Sequence, residues 1–334
     1  MSGVHSTSAA LRTAAIWLLV LTLVIVAAIL TIFLVNTNVY GPKQQVAQYL
    51  QALRDGEGGK ALGLLQASIP EGANPAMLDG PGLKAAMDDV DNVNIGDAKS
   101  SDEQHVTVPV EYTVDGNTLT TSFKLEKVDT VWLFFDEWAF VPSTLPTVTA
   151  SVVNGNHATV NGEKVGLPKG EASFAVFYPG EYSASYKTEY FKAKPVEVAV
   201  STRQDSSSSQ LKLAAEPTKQ LINDVSTKLR QYLNKCATQD VFYPSGCPFS
   251  HPGTPFLAPD AKINWKITDY PTIQIEAYKN KWVLKPLKGT AVVRSKKIDT
   301  FSGDVSPLRA EHDYRFTARL NVNNGNVSVT PITG

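Results

Sequence analysis

Apolar and polar positions change their rhythm several times along the chain. Between Arg12 and the Pro42-Lys43 pair, Thr13 to Val35 contains no charged residue, and Leu, Ile and Val cover every helical face without a polar stripe. A membrane-spanning helix needs roughly 20 apolar residues at about 1.5 Å rise each, which this run supplies. A cleaved leader has a shorter apolar core of about 7 to 15 residues followed by a small-x-small site. Val35-Asn36-Thr37-Asn38-Val39-Tyr40 offers no such site. The pattern predicts an uncleaved transmembrane helix over 13–35 behind a short polar tail over 1–12.

From Gly41 to Leu65 the spacing is helical. Val46, Leu50 and Leu53 form one face, Gly56-Glu57-Gly58-Gly59 interrupts it, and Ala61, Leu62, Leu64 and Leu65 open a second helix. After a loop rich in Gly and Pro the period falls to two. Val106, Val108, Val110, Tyr112 and Val114 alternate with polar positions, Asp115-Gly116-Asn117 supplies a hairpin turn, and Leu119, Thr121, Phe123 and Leu125 alternate on the return. A third strand is expected over Val131 to Phe140. Helices followed by an antiparallel meander predict an α+β domain over 42–141.

Pro142-Ser143-Thr144-Leu145-Pro146 reads as a short stiff linker, because proline disfavours both helix and central strand. Residues 147–200 hold no helical period. Strands fit Thr147–Val153, Ala158–Val160, Ala172–Phe177, Glu181–Tyr186 and Val196–Val200, with turns at Asn154-Gly155, Asn161-Gly162 and Pro179-Gly180, so a small all-β sandwich is expected. The serine run Asp205 to Gln210 places a linker at 201–214. A helix over about Pro217 to Ala237 then carries Leu221, Ile222, Val225, Leu229, Tyr232 and Leu233 on one face, and alternating strands follow from Ile263 to Val329. The fold class is therefore α+β: an N-terminal transmembrane helix and two helix-plus-curved-antiparallel-sheet domains, at 42–141 and 215–334, flanking the small sandwich at 147–200.

Three resemblances rest on these residues. Val46-Ala47-Gln48-Tyr49-Leu50-Gln51-Ala52-Leu53, Gly56, Ala61-Leu62-Gly63-Leu64-Leu65 and the strands ending in Trp132 and Trp138 resemble the nuclear-transport-factor-2-like (cystatin-like) fold. Tyr178-Pro179-Gly180-Glu181-Tyr182 is similar to the Pro-Gly-x-Tyr turn of bacterial surface β-domains. The whole order of modules resembles the teicoplanin-resistance-associated (TcaA-like) membrane proteins, which often begin with a cytoplasmic zinc ribbon. This chain has no cysteine before Cys236 and departs from them there.

Composition adds compartment and partners. Hydrophobic residues make up 43% and the net charge is −1, which excludes wholesale disorder. The two cysteines, Cys236 and Cys247, flank a Pro244-Ser245-Gly246 turn, with no histidine or second cysteine pair at zinc-site spacing. A disulfide between them points to an oxidising compartment, and so to a plasma-membrane protein with a cytoplasmic N-terminus and extracytoplasmic domains; two unpaired buried thiols are the alternative. Residues 42–140 carry 16 Asp/Glu against 7 Lys/Arg, whereas Lys262, Lys266, Lys279, Lys281, Lys285, Lys288, Arg294, Lys296 and Lys297 face only Asp269 and Glu276 in their stretch. Such polarity concerns partners rather than fold. Aromatic interleaving by Trp265, Tyr278 and Trp282 superficially suits nucleic acid, but outside a membrane an anionic wall polymer, an anionic lipid or another envelope protein is the expected partner. A solvated strand face whose lysines discourage edge pairing is the plainer reading.

Catalytic motifs do not assemble. No Gly-x-Ser-x-Gly occurs, Ser209 to Lys212 lacks a Lys-Thr-Gly partner, and Gly56-Glu57-Gly58-Gly59-Lys60 lacks the strand and ending of a P-loop. The five histidines are scattered, and Glu311-His312-Asp313 is the densest titratable group. The expectation is a non-enzymatic, cofactor-free binding or sensing protein. The alternatives are a structural spacer or a pocket enzyme of isomerase or dehydratase type; the nuclear-transport-factor-2 resemblance implies a cone that Asp136, Tyr112 or Tyr314 would line.

Overall fold

A computed structural model describes residues 6–38, 41–131, 135–201, 209–323 and 325–332. Helix α1 (Ser6–Asn38) contains an apolar window, Leu11–Ile32, none of which is buried against protein. Thr22 and Thr31 turn their hydroxyls back to the carbonyls of Leu18 (2.6 Å) and Ala27 (2.8 Å), which satisfies them without water. α1 is a candidate single-pass membrane anchor.

Helices α2 (Pro42–Asp55) and α3 (Gly58–Leu65) fall where the apolar spacing puts them. Gly56 ends α2 at φ +71°, and Gly58 lies so close to Leu78 that a Cβ would sit 1.6 Å from its carbonyl oxygen. The Gly- and Pro-rich loop contains a helix the spacing does not announce, α4 (Gly80–Asp88), because Gly80, Pro81 and Gly82 fill its first turn. Strands β1 (Asp91–Ile95), β2 (His105–Val114), β3 (Asn117–Val131) and β4 (Phe135–Phe140) form an antiparallel sheet in that order. Its inward residues Val106, Val108, Val110, Tyr112, Phe123 and Leu125 are buried, with Tyr49 of α2 5.5 Å from both Phe123 and Phe140. Trp132 lies outside the described residues.

The middle region comprises β5 (Thr147–Val152), β6 (His157–Val160), β7 (Glu163–Gly166), β8 (Glu171–Ala175), β9 (Gly180–Lys187), β10 (Phe191–Val200) and β11 (Ser209–Leu213). One sheet runs β7-β6-β9-β10 with Glu216–Pro217 at its edge, and the other runs β8-β5-β11. Strand β11 corrects the 209–213 part of the linker expected over 201–214, whose residues 202–208 lie outside the described residues. It pairs parallel with β5, burying Leu211 and Leu213 while Gln210 and Lys212 turn out. A parallel partner about 60 residues away leaves no turn signal, and the serine run obscures the short alternation. The expected linker at Pro142–Pro146 is docked as well: Ser143–Thr144 pairs with Ala67–Ser68, and Leu145 is buried.

This region is fused to the first one. Asn74 exchanges backbone hydrogen bonds with Ser173 (2.8 Å) and Ala175 (3.0 Å), Asn161 Nδ2 donates to the Gly82 carbonyl, and the Tyr49 hydroxyl donates to the Tyr178 carbonyl at 2.7 Å. Phe123 stacks on Tyr178 at 5.6 Å. The Tyr178–Tyr182 turn, with a cis Tyr178-Pro179 bond, is the seam itself.

Helix α5 (Lys219–Ala237) begins at Thr218, whose hydroxyl accepts from the Leu221 amide. Strands β12 (Asn264–Asp269), β15 (Leu287–Ile298), β16 (Val305–Asn323) and β17 (Asn326–Ile332) make an antiparallel sheet in that order, beside a separate hairpin of β13 (Ile275–Tyr278) and β14 (Lys281–Leu284). Leu221, Val225, Leu229 and Leu233 share a core with Trp265, Ile267, Val293, Tyr314 and Phe316. Trp282 of the hairpin stacks on Phe191 of β10 at 4.5 Å. The architecture is α+β, with helices and sheets in several packed regions behind one apolar N-terminal helix.

Candidate functional site

The period of two sorts the nine expected cations. Lys266 of β12 and Lys288, Arg294 and Lys296 of β15 stand on the sheet face opposite Trp265 and Val293, and all four are exposed. Lys297 points to the other side, Lys262 precedes the sheet, and Lys279, Lys281 and Lys285 belong to the β13–β14 hairpin or its end. Lys285 pairs with Glu276 at 3.3 Å, and Lys279 lies 5.4 Å from the Tyr278 ring centroid. The single basic face expected from the sequence is thus divided.

Strand β16 contributes what the sequence window missed. Arg309, Arg315 and Arg319 are exposed and share the outer face, because residues directly opposite in an antiparallel pair project to the same side. Lys288 stands opposite Arg315, and Arg294 stands opposite Arg309. Like charges in that relation destabilise a bare sheet. Glu311, Asp313 and Asp269 temper the row: Glu311 reaches Arg309 at 3.7 Å, and Asp313 accepts from the Thr290 hydroxyl at 2.9 Å. Two open grooves border its end, one of ≈ 470 Å³ lined by Lys285, Lys288, Asp269 and Tyr270, the other of ≈ 550 Å³ lined by Arg315 and Ser250. The alternation of charged β16 residues signals this face, but only once β15 is known to be its partner.

The disulfide forms. Cys236, buried at the end of α5, bonds Cys247. Its loop is tied down by the Tyr232 hydroxyl, which donates to the Gly246 carbonyl at 2.7 Å, and by Gln239, which spans to Ser245.

Titratable groups gather at two other places. Asp115 in the β2–β3 turn, Glu181 of β9 and Glu197 of β10 bring their carboxylate oxygens within 4.8 Å of one another. Glu181 is 6% exposed, and burial, then Asp115, Asp89 and Glu197, push its carboxyl up to about 7. Such a group shares a proton or gathers a hard cation. Glu181 lies inside the Tyr178–Tyr182 turn, yet an acidic residue on a strand gives no sequence sign of its neighbours. His251 and His312 form the second group, at 2.9 Å. Burial, and after it the nearby His251, lower the His312 imidazole from its ordinary value.

The residues named for a catalytic cone do not converge. The Tyr112 hydroxyl meets Thr121 at 3.2 Å, Asp136 pairs with Lys127, and the Tyr314 hydroxyl donates to the Asp269 carbonyl at 3.2 Å in the other sheet. Compared with family models, with curated proteins and with solved structures, the chain matches none of them.

Proposed function

We propose that this is a non-enzymatic, single-pass plasma-membrane protein whose extracytoplasmic C-terminal sheet binds a linear polyanion of the envelope. The single observation that carries the reading is the pairing of like charges, Lys288 against Arg315 and Arg294 against Arg309, across neighbouring strands. A sheet face that serves only solubility is better built with opposite charges across the ladder. An anionic chain lying along β15 and β16 relieves that repulsion and releases its own counterions. The disulfide supports an oxidising, outer location for the domains; the nuclear-transport-factor-2-like and TcaA-like readings of the module order rest on the general α+β architecture alone.

The test is equilibrium binding of the full chain in detergent to inorganic polyphosphate across a range of salt concentrations. Affinity is expected to fall steeply and log-linearly with salt. Absence of binding at low salt, or affinity indifferent to salt, overturns the proposal. Capture by anionic vesicles with none by polyphosphate reassigns the face to lipid headgroups.

A further inference from the structure

On the inner side of the C-terminal sheet, two histidines from separate elements turn their ring nitrogens towards each other. His312 projects from β16, and His251 comes from the segment that follows the disulfide. His251 Nδ1 stands 2.9 Å from His312 Nε2, with ring centroids 5.1 Å apart and planes at 65°. Each ring is positioned independently of the other. The His251 amide donates to the Phe242 carbonyl at 2.9 Å, and its ring lies 5.2 Å from Phe242. His312 is fixed by the β15–β16 ladder and lies 5.9 Å from the Trp265 ring. Both residues are partly exposed.

Two imidazoles arranged in this way need something between their lone pairs. One proton suffices, donated from one ring to the other. A tetrahedral ion with nitrogen ligands at about 2.0–2.1 Å holds the two nitrogens about 3.3 Å apart, only about 0.4 Å wider than the present separation. Binding then requires the two rings to part by that amount and to aim at a common point off the line between them. Imidazole pairs suit zinc, copper and nickel, whereas magnesium and calcium take oxygen donors.

We propose that His251 and His312 chelate one divalent transition-metal ion, with water completing its coordination. The ion then staples the disulfide segment to β16, adding a second cross-link a few residues beyond the covalent one. This site stands apart from the cationic face, and its failure leaves the polyanion reading untouched.

The experiment is calorimetric titration of the tag-free full chain in detergent, stripped with chelator, using NiCl2 and ZnCl2 at neutral pH. One equivalent is expected to bind and to raise the melting temperature. His251→Ala and His312→Ala are each expected to abolish that binding, while Glu181→Gln, which weakens the acidic cluster, retains it. Electron paramagnetic resonance of the Cu2+ form is expected to show nitrogen ligands that either histidine substitution removes. If His312→Ala fails to fold, the segment variant His251→Ala decides alone. No stoichiometric binding by the wild type, binding that survives both histidine substitutions, or binding lost in Glu181→Gln instead overturns the proposal.

Discussion

Glu181 is the residue whose protonation most directly reports the seam between the first and middle regions. Its surroundings come from three elements: Asp115 from a hairpin turn, Glu197 from the neighbouring strand and Asp89 from the end of α4. In the unfolded chain its carboxyl ionises in the ordinary glutamate range, whereas in the folded protein it keeps its proton up to about 7. Between those values the folded state binds more protons than the unfolded state, so stability falls as pH rises through that window. Glu181→Gln is expected to raise stability at pH 8 by about 1–2 kcal/mol after solvent screening, and to change little at pH 4. Thermal melts at the two pH values check it; an equal effect at both would assign the change to packing. Tyr49 marks the same seam without titrating in this range. Tyr49→Phe strands the Tyr178 carbonyl in a buried site and is expected to cost about 1–3 kcal/mol in denaturant unfolding.

Among the elements, the disulfide loop and the paired strands β15 and β16 carry separable expectations. Replacing Cys236 and Cys247 by serine opens a loop of sequence separation 11, which costs about 3 kcal/mol in the chain-entropy view. The denaturant midpoint is expected to drop, as it is for the native chain under reductant. Arg315→Glu turns a like-charged pair with Lys288 into an opposite-charged one. It is expected to stabilise the free protein by about 0.2–1 kcal/mol while weakening polyanion binding, and opposite signs in these two readouts separate a binding residue from a merely structural one. Elements of this kind were legible in the sequence wherever periodicity was local. The α2–α3 break at Gly56, the β2–β3 hairpin at Asp115-Gly116 and the apolar face of α5 follow directly from spacing. What escaped was nonlocal or masked: α4 behind Gly80-Pro81-Gly82, β11 behind the serine run, and the docking of Ser143–Thr144 against Ala67–Ser68. The cationic face was half legible for the same reason. Lys266, Lys288, Arg294 and Lys296 lie in one basic stretch, but their neighbours Arg309, Arg315 and Arg319 enter only through strand pairing, and the hairpin lysines leave through it.

For the whole molecule, an apolar helix leads into an acidic first region and ends in a sheet with a basic outer face. The first and middle regions share backbone hydrogen bonds and aromatic contacts through Asn74, Tyr49 and Phe123, while the third meets the middle through Phe191 on Trp282 and through the Tyr190 hydroxyl, which donates to the Gly325 carbonyl at 3.0 Å. Trp282→Ala removes that stack and is expected to increase interdomain mobility in solution scattering without lowering the melting temperature of the first region. Polyanion binding belongs, on the proposed function, to the outer sheet face rather than to basic charge in general. The most direct measurement compares polyphosphate affinity of Arg294→Glu/Arg309→Glu with that of Lys279→Glu/Lys281→Glu, two variants with the same change in net charge. Expected is a loss of at least about tenfold, or about 1.4 kcal/mol, for the face variant and a much smaller loss for the hairpin variant. Equal losses in the two variants, or no loss in the first, would contradict it.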